Sequence, residues 1–265
     1  TLGLAAPAVA DSRHNLAQSL QAQGRLDDAE AEHRRAIAIA DAALGHDHPD
    51  TAPFRRDLAA VLAELGRLDD AEAELRHALA VAGPALGPTH PEIAAIHSEL
   101  AITLCMQGEL ADGEAELRRA IAIEEHALGP MHPQLAESRH NLANVLEERR
   151  QLDGAEAEHR RALMIFEGAL AADHPSLARA RTSLAALLLE RGDVTEASRL
   201  AEAAWQRRQT DDTPPTQRAR TAFVLARAIA SSDPTRARTL AERALVDFGE
   251  GEDATLVRSW LEVRR

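Results

Sequence analysis

Histidine is the residue whose spacing in this chain most directly suggests chemistry, because its ring nitrogens are common ligands of transition metals. A histidine precedes a proline at four positions spaced 42 residues apart: His48, His90, His132 and His174. If these histidines sit one per stacked repeat, neighbours are about 10 Å apart, whereas zinc holds its nitrogens about 2 Å from the ion. We therefore predict that they cap helices and bind no metal. His46 and His48 form a His-x-His pair on a loop, with no further ligand nearby in sequence.

A second set of polar side chains suggests ligand binding. The run Ser-Arg-His-Asn occurs twice, ending at Asn15 and at Asn141. Each histidine of the run shares a helical face with the polar residue four positions later: His14 with Gln18, and His140 with Asn144. Polar residues of this kind contact a ligand if their helices line a concave surface. The alternative is a solvated face that was copied with the repeat.

Motifs of catalysis and of nucleic-acid binding are not present in the sequence. It contains no GxxxxGK[ST] loop, no GxSxG, no HExxH, no calcium-binding loop and no basic stripe. Cys105 is the single cysteine, so an internal disulfide and a CxxC metal site are excluded. We predict a non-enzymatic protein without a cofactor, with a buried thiol and a cytoplasmic location.

The elements that position these residues follow the 42-residue period. Such a period indicates stacked units of one supersecondary motif. A first helix begins at each His-Pro, carries a Leu-Ala pair followed by leucine, and ends before a glycine at 24, 66, 108 and 192. Arg150 stands where the fourth unit would have that glycine, so its turn should be strained or differently shaped. Pro53 indicates that the first helix of the second unit begins late.

The second helix of each unit begins with acidic residues and carries small residues at fixed positions. We interpret Ala17 and Ala29 as contacts within a unit and Ala36 as the contact to the next unit. Gly113 keeps the small size at the position of Ala29. His33 and His159 replace the leucine of other units, and we expect each to pack between helices with one nitrogen bonded.

The predicted fold is all-α: a right-handed superhelical solenoid of antiparallel helix pairs, forming a single repeat domain over residues 1–265. Residues 1–7 are predicted to be the tail of an earlier unit, residues 210–216 a loop, and a last helix from about residue 254 a cap that buries Leu256, Val257, Trp260 and Leu261. The predicted units are 7–48, 49–90, 91–132, 133–174, 175–213 and 214–248, followed by the capping helix at 249–265.

The charge of the chain restricts its partners. The net charge is −13, no lysine or tyrosine occurs, and residues 1–210 hold 34 acids against 21 arginines. An acidic surface repels phosphate backbones and anionic lipid. We expect a neutral or basic protein or peptide ligand, no nucleic acid, and no membrane partner. Apolar surface at the ends of the array predicts a homodimer as a further state.

The repeat resembles a known family. The pattern around Asn15-Leu16-Ala17, Leu20, Gly24, Ala29 and Ala36 is similar to the tetratricopeptide repeat, and the 42-residue length with LGxxHP between units resembles its kinesin light chain variety. This resemblance implies a scaffold whose first helices line a groove for a peptide or a partner protein. It also implies that Asn15 and Asn141 hold the ligand backbone, although Asp57, Glu99 and Ser183 depart from asparagine at that position.

The predicted groove residues are those that the first helices would present: His14, Asn15, Gln18, Arg56, Asp57, Ser98, Glu99, His140, Asn141, Asn144, Arg179 and Thr182. Arg56 or Arg179 could hold a carboxylate, as lysine does in the co-chaperone branch of the family. Two alternatives stay open. The sixth unit and tail resemble repeat regions that follow kinase domains in some bacterial serine/threonine kinases, which suggests a regulatory or sensor segment. A self-associating structural adaptor is the other alternative.

Overall fold

The computed structural model describes residues 6–209 and 213–264, and the regular elements among them are all helical. This confirms the prediction of an all-α fold. Residues 1–5 of the predicted tail and 210–212 of the predicted loop lie outside the described residues. Of the rest, Ala6 and Pro7 belong to α1, and Pro215 and Thr216 belong to α11. The bounds are α1 (Ala6–Ala22), α2 (Leu26–Leu44), a 3₁₀ turn (Pro49–Thr51), α3 (Ala52–Glu64), α4 (Leu68–Leu86), α5 (Pro91–Met106), α6 (Leu110–Leu128), α7 (Pro133–Glu148), α8 (Leu152–Ala169), α9 (Pro175–Arg191), α10 (Val194–Arg208), α11 (Pro215–Ile229), α12 (Pro234–Phe248) and α13 (Glu252–Glu262).

The chain divides into two compact units, Thr1–Arg149 and Arg150–Arg265. In the first unit, α1 with α2, α3 with α4 and α5 with α6 pack as antiparallel pairs, and each later pair packs on the one before it. In the second unit, α9 packs with α10 and α11 with α12, while α8 lies against α9 and α13 against α12. The limits of the single repeat domain and of its units stay predictions.

Prolines set the starts of the first helices. Helices α5, α7 and α9 begin at the proline of His-Pro, where a missing N–H costs no intrahelical hydrogen bond. In the second repeat Pro53 delays this start: Pro49 opens a 3₁₀ turn, and α3 begins at Ala52. The prediction of a late start is therefore confirmed.

The turns inside the helix pairs need a left-handed residue. Gly24, Gly66, Gly108 and Gly192 have φ between 73° and 88°. Arg150 takes this conformation with φ 60° and is the one residue other than glycine with positive φ in the described part of the chain. A side chain in this region costs about 1–2 kcal/mol, so the predicted strain is present.

Small residues let the helices of a pair approach closely. Ala17, Ala29 and Ala36 are fully buried, as predicted. At Gly113 on α6, a Cβ atom would lie 2.4 Å from Sγ of Cys105 and 3.0 Å from the backbone oxygen of Ala101, both on α5. A side chain at this position would therefore force Cys105 or the facing helix to shift, because real Cβ contacts are longer than 3.0 Å.

Leu16 on α1 is 48% exposed, in keeping with the apolar surface expected at the end of the array. Two sequence-based expectations about packing were wrong. On α13, Val257 is buried but Leu256 is 61% exposed, since the helix presents only one narrow stripe to α12. His33 is fully buried with neither ring nitrogen hydrogen-bonded. Burial and the neighbouring His14 lower the pKa of His33 to about 4.

Candidate functional site

The four repeated histidines cap helices, as predicted. In His48, His90, His132 and His174, Nδ1 accepts a hydrogen bond from the backbone N–H two residues later, at 3.1–3.2 Å. Each histidine thereby satisfies one of the N–H groups that the first turn of a helix leaves without a partner. In a neutral imidazole only one ring nitrogen has a free lone pair. Here that nitrogen is Nδ1, and its lone pair accepts the capping hydrogen bond instead of binding a metal.

The first helices of the first unit lie side by side, and their side chains join one repeat to the next. Gln18 on α1 donates a hydrogen bond of 2.8 Å to Oδ2 of Asp57 on α3. Arg56 on α3 contacts both carboxylate oxygens of Glu92 on α5 at 2.9 Å. Ser98 on α5 lies 3.3 Å from the hydroxyl of Ser138 on α7. We call the surface formed by α1, α3, α5 and α7 the first-helix face.

At the α1 end of this face, His14 lies in a small polar and aromatic cluster. Its ring is 4.9 Å from that of Phe54 and 5.2 Å from that of His33, centroid to centroid. Its Nε2 lies 3.1 Å from Nε2 of Gln18 and 3.3 Å from Oδ2 of Asp57. The predicted residues His14, Gln18 and Asp57 are thus brought together. Asn15 is exposed beside them on α1.

In the middle of the face, one arginine lies among three carboxyl groups. Arg56 lies between Asp57, at 3.0 Å, and Glu92. A carboxylate ligand would have to displace Glu92, which makes Arg56 a poor carboxylate-binding residue. Burial raises the pKa of Glu99, with Arg56 opposing this and Asp57 adding to it. Asp57, Glu92 and Glu99 together favour a cation over an anion at this position.

Next to Ser98 the face covers a buried carboxyl group. Ser138 donates a hydrogen bond of 3.0 Å to Oε1 of Glu124, which is fully buried on α6. Burial raises the pKa of Glu124 to about 7. The hydroxyls of Ser98 and Ser138 therefore connect the surface to a group that titrates near neutral pH.

At the α7 end, a pocket of about 280 Å³ opens on the face. Asn141 and Asn144 of α7 form one wall, and Ile102 and Met106 of α5 form the other. Met106 is 54% exposed. The lining also includes Cys105, Leu117, Val145 and Glu148.

This pocket combines two amide side chains with exposed apolar surface. An amide can donate to and accept from a peptide backbone at once. Sequence reasoning missed Ile102 and Met106, since the repeat pattern marks only buried positions as apolar. Cys105 lines the pocket with an unreactive thiol. Burial raises the pKa of this thiol to about 11, and the reactive form of cysteine is the thiolate.

Other predicted groove residues are placed differently. His140 is only 2% exposed, so it does not present its ring on the first-helix face. In the second unit, Thr182 is buried and its hydroxyl lies 3.0 Å from that of Thr221. Arg179 lines a separate pocket of about 250 Å³ together with Arg208 and Arg220. Burial lowers the pKa of Arg208 to about 10, and the other two guanidinium groups add to this.

The repeats of this chain match a family model. The tetratricopeptide repeat model matches residues 8–83, 54–123, 92–167 and 138–210. These overlapping matches extend over residues 8–210, well over half of the chain. The chain therefore belongs to the tetratricopeptide repeat family, whose fold is typical of protein-interaction scaffolds that are generally not catalytic. A comparison with curated protein sequences finds no match.

Solved structures of low sequence identity share the fold. The crystal structure of BtubC (BKLC) from P. vanneervenii is 21% identical, with a TM-score of 0.72, covering 86% of this chain and 94% of that one. A putative kinesin light chain from Podospora anserina with nearly identical TPR-like repeats is 24% identical, with a TM-score of 0.64, covering 76% and 96%. The pilF protein of Pseudomonas aeruginosa is 16% identical, with a TM-score of 0.69, covering 96% and 99%.

The predicted resemblance to kinesin light chain-like repeat proteins is therefore confirmed at the level of the fold. Within the described residues, none of the helices combines the length and the apolar character that a membrane crossing requires.

Proposed function

We propose that this protein is an interaction scaffold that binds an extended, neutral or basic peptide segment of a partner protein across its first-helix face. The observation that carries this proposal is the pocket where Asn141 and Asn144 face the exposed side chains of Ile102 and Met106. Amides suit the backbone of a peptide, and the apolar wall suits one of its side chains.

The charge of the face supports a neutral or basic ligand. Asp57 and Glu99 lie along the path from α1 to the pocket, and Glu148 lines the pocket itself. Arg56 is paired with Asp57 and Glu92, so it adds little attraction for an anion. An acidic channel raises the association rate of a basic segment and slows that of an acidic one.

The resemblance to kinesin light chain repeats adds an argument for the asparagines, because the position of Asn15 and Asn141 holds the ligand backbone in that family. Asn15 is exposed at the far end of the same face. The proposed ligand therefore runs from α1 towards α7. We place this function in the cytoplasm, since the one cysteine of the chain suits a reducing compartment.

The test is a selection from a random dodecapeptide display library against the whole chain, followed by fluorescence anisotropy with the selected peptides. Replacing both Asn141 and Asn144 with alanine removes about two hydrogen bonds of roughly 1 kcal/mol each. We therefore expect affinity to fall about 10- to 30-fold. His126→Ala, which changes an exposed side chain on α6, is the matched control and should bind as the wild type.

Two results would refute the proposal. One is a selected peptide that binds the double variant as tightly as the wild type while circular dichroism shows both folded. The other is a consistent enrichment of acidic peptides. The regulatory segment of a kinase and the self-associating adaptor stay predictions, since no described contact favours either one.

A further inference from the structure

A cluster of metal-ligating side chains lies in the first unit, away from the first-helix face. It consists of His46 and Asp47, in the loop after α2, and His77 on α4. One ligand atom from each of the three residues can be chosen so that all lie within 4.8 Å of one another. The rings of His46 and His77 are 5.1 Å apart, centroid to centroid. The fold thus joins residues that are about 30 positions apart in sequence.

His77 supplies an observation that points to a ligand. Its Nε2 atom is buried, makes no hydrogen bond, and lies 3.7 Å from Oδ1 of Asp47. A buried nitrogen without a partner costs stability, and a metal ion would satisfy it.

His46 is already oriented by a neighbouring carboxylate. Its Nδ1 lies 2.9 Å from Oδ2 of Asp41. Asp41 in turn accepts a hydrogen bond of 3.1 Å from the buried guanidinium group of Arg55, which is also bound to Glu74. With the proton on Nδ1, the lone pair of His46 is on Nε2. Ligands of zinc in proteins are commonly fixed by this arrangement of carboxylate and histidine.

We propose that His46, Asp47 and His77 bind a divalent transition metal of the zinc class, with water as the fourth ligand. Two imidazole nitrogens and one carboxylate oxygen are a ligand set that zinc accepts in tetrahedral geometry. Ligand atoms about 2 Å from such an ion are about 3.3 Å apart. His46 and Asp47 are exposed on a loop, so their side chains can close the remaining gap of about 1.5 Å.

The bound metal joins the loop after the first helix pair to the second pair. His46 and Asp47 belong to the first connection and His77 to α4, so the ion acts as a clip between consecutive repeats. A ligand that binds only the folded chain raises its melting temperature. Metal binding at this cluster therefore stabilises the first two repeats and leaves the peptide pocket at α5 and α7 unchanged.

The test is isothermal titration calorimetry of zinc chloride into the whole chain after removal of metal with EDTA. We expect one site, and a loss of affinity of at least about tenfold in each of His46→Gln and His77→Gln. His126→Gln removes an exposed histidine of α6 outside the cluster and should bind as the wild type. Cobalt in place of zinc should give the visible absorption of a tetrahedral complex in the wild type and not in His77→Gln.

The proposal fails if the wild type binds no zinc. It also fails if His77→Gln and His126→Gln bind zinc equally well, because the metal would then be held by other residues. Melting curves give a second check. Zinc should raise the melting temperature of the wild type and of His126→Gln, and should leave that of His77→Gln unchanged.

Discussion

Replacing Gly113 with alanine tests the close packing on which the repeat depends. In an open helix this change stabilises by about 1 kcal/mol, because alanine has the higher helix propensity. Here the new Cβ would lie 2.4 Å from Sγ of Cys105 and 3.0 Å from the backbone oxygen of Ala101. Overpacking of this kind costs about 1–3 kcal/mol. We therefore expect Gly113→Ala to destabilise the chain by about 1 kcal/mol.

The chain contains a matched control in Gly83 on α4. A Cβ atom at Gly83 would meet no atom within 4 Å. Pro84, the next residue, disfavours a Cβ in the helical region at this position, so Gly83→Ala should gain less than the ~1 kcal/mol of helix propensity. In urea denaturation followed by circular dichroism, Gly113→Ala should lower the midpoint, and Gly83→Ala should leave it level or raise it slightly.

A double-mutant cycle identifies the atom responsible. Cys105→Ala removes Sγ, the tightest contact, so Gly113→Ala in that background keeps the 3.0 Å contact with the backbone oxygen of Ala101 and an ordinary contact of 3.5 Å with the backbone nitrogen of residue 105. We expect the second substitution to become neutral or stabilising, with a coupling free energy of about 1 kcal/mol or more. If Gly113→Ala stabilises the wild-type chain as much as Gly83→Ala does, the two helices are not as close as the structure places them.

Three further predictions concern strain and buried charge. Arg150→Gly removes a side chain from the left-handed region and should stabilise by about 0.5–1 kcal/mol in urea denaturation; a loss of stability would contradict the strain. The pKa of Glu124 is about 7 in the folded chain against 4.5 as the ordinary value, so its contribution to stability is lost as pH rises from about 4.5 to 7. Glu124→Gln should match the wild type at pH 4.5 and exceed it by up to about 3 kcal/mol at pH 8, and equal pH profiles would refute the assignment. The pKa of His33 is about 4, against an ordinary value of 6.5, so the folded chain loses stability as pH falls from about 6.5 to 4. His33→Leu should remove this loss, which is worth about 1–2 kcal/mol at pH 5. An equal loss of stability in His33→Leu and in the wild type would contradict the burial of a neutral His33.

The repeat pattern predicted the helices well because their determinants are local. His-Pro fixes a helix start, and the delayed start at Pro53 follows from the same steric rule. The left-handed turn at Arg150 follows from the register of the repeat, which places Arg150 where other units have glycine. Periodicity also located the small residues, since only small side chains fit where two helices cross.

The candidate site was predicted less completely because its contacts join residues about 40 positions apart. The sequence marks Gln18, Asp57, Arg56 and Ser98 as polar residues of first helices. It does not show that Gln18 bonds to Asp57, that Arg56 bonds to Glu92, or that Ser98 lies against Ser138 in the next repeat. Whether a side chain faces a ligand or a neighbouring repeat depends on the distance between the first helices of consecutive repeats. The sequence of one repeat does not specify this distance.

The metal cluster was missed for a similar reason. His46 suggested a pair with His48, two residues away, but His48 is used as a helix cap. Its actual neighbour is His77, which is brought close by the packing of the second pair on the first. His46 and His77 are about 30 positions apart, which is neither a short-motif spacing nor the 42-residue period, so neither kind of sequence search finds this pair.

Photo-crosslinking tests the proposed peptide site most directly, because the chain carries three methionines and all are exposed: Met106, Met131 and Met164. Benzophenone reacts readily with methionine, so a selected peptide that carries it at its apolar anchor position should label the methionine beside its binding site. We predict labelling of Met106, on the first-helix face, and its loss when unlabelled peptide competes. Labelling of Met131 or Met164 in place of Met106 would show that the partner binds elsewhere and would contradict the proposed function.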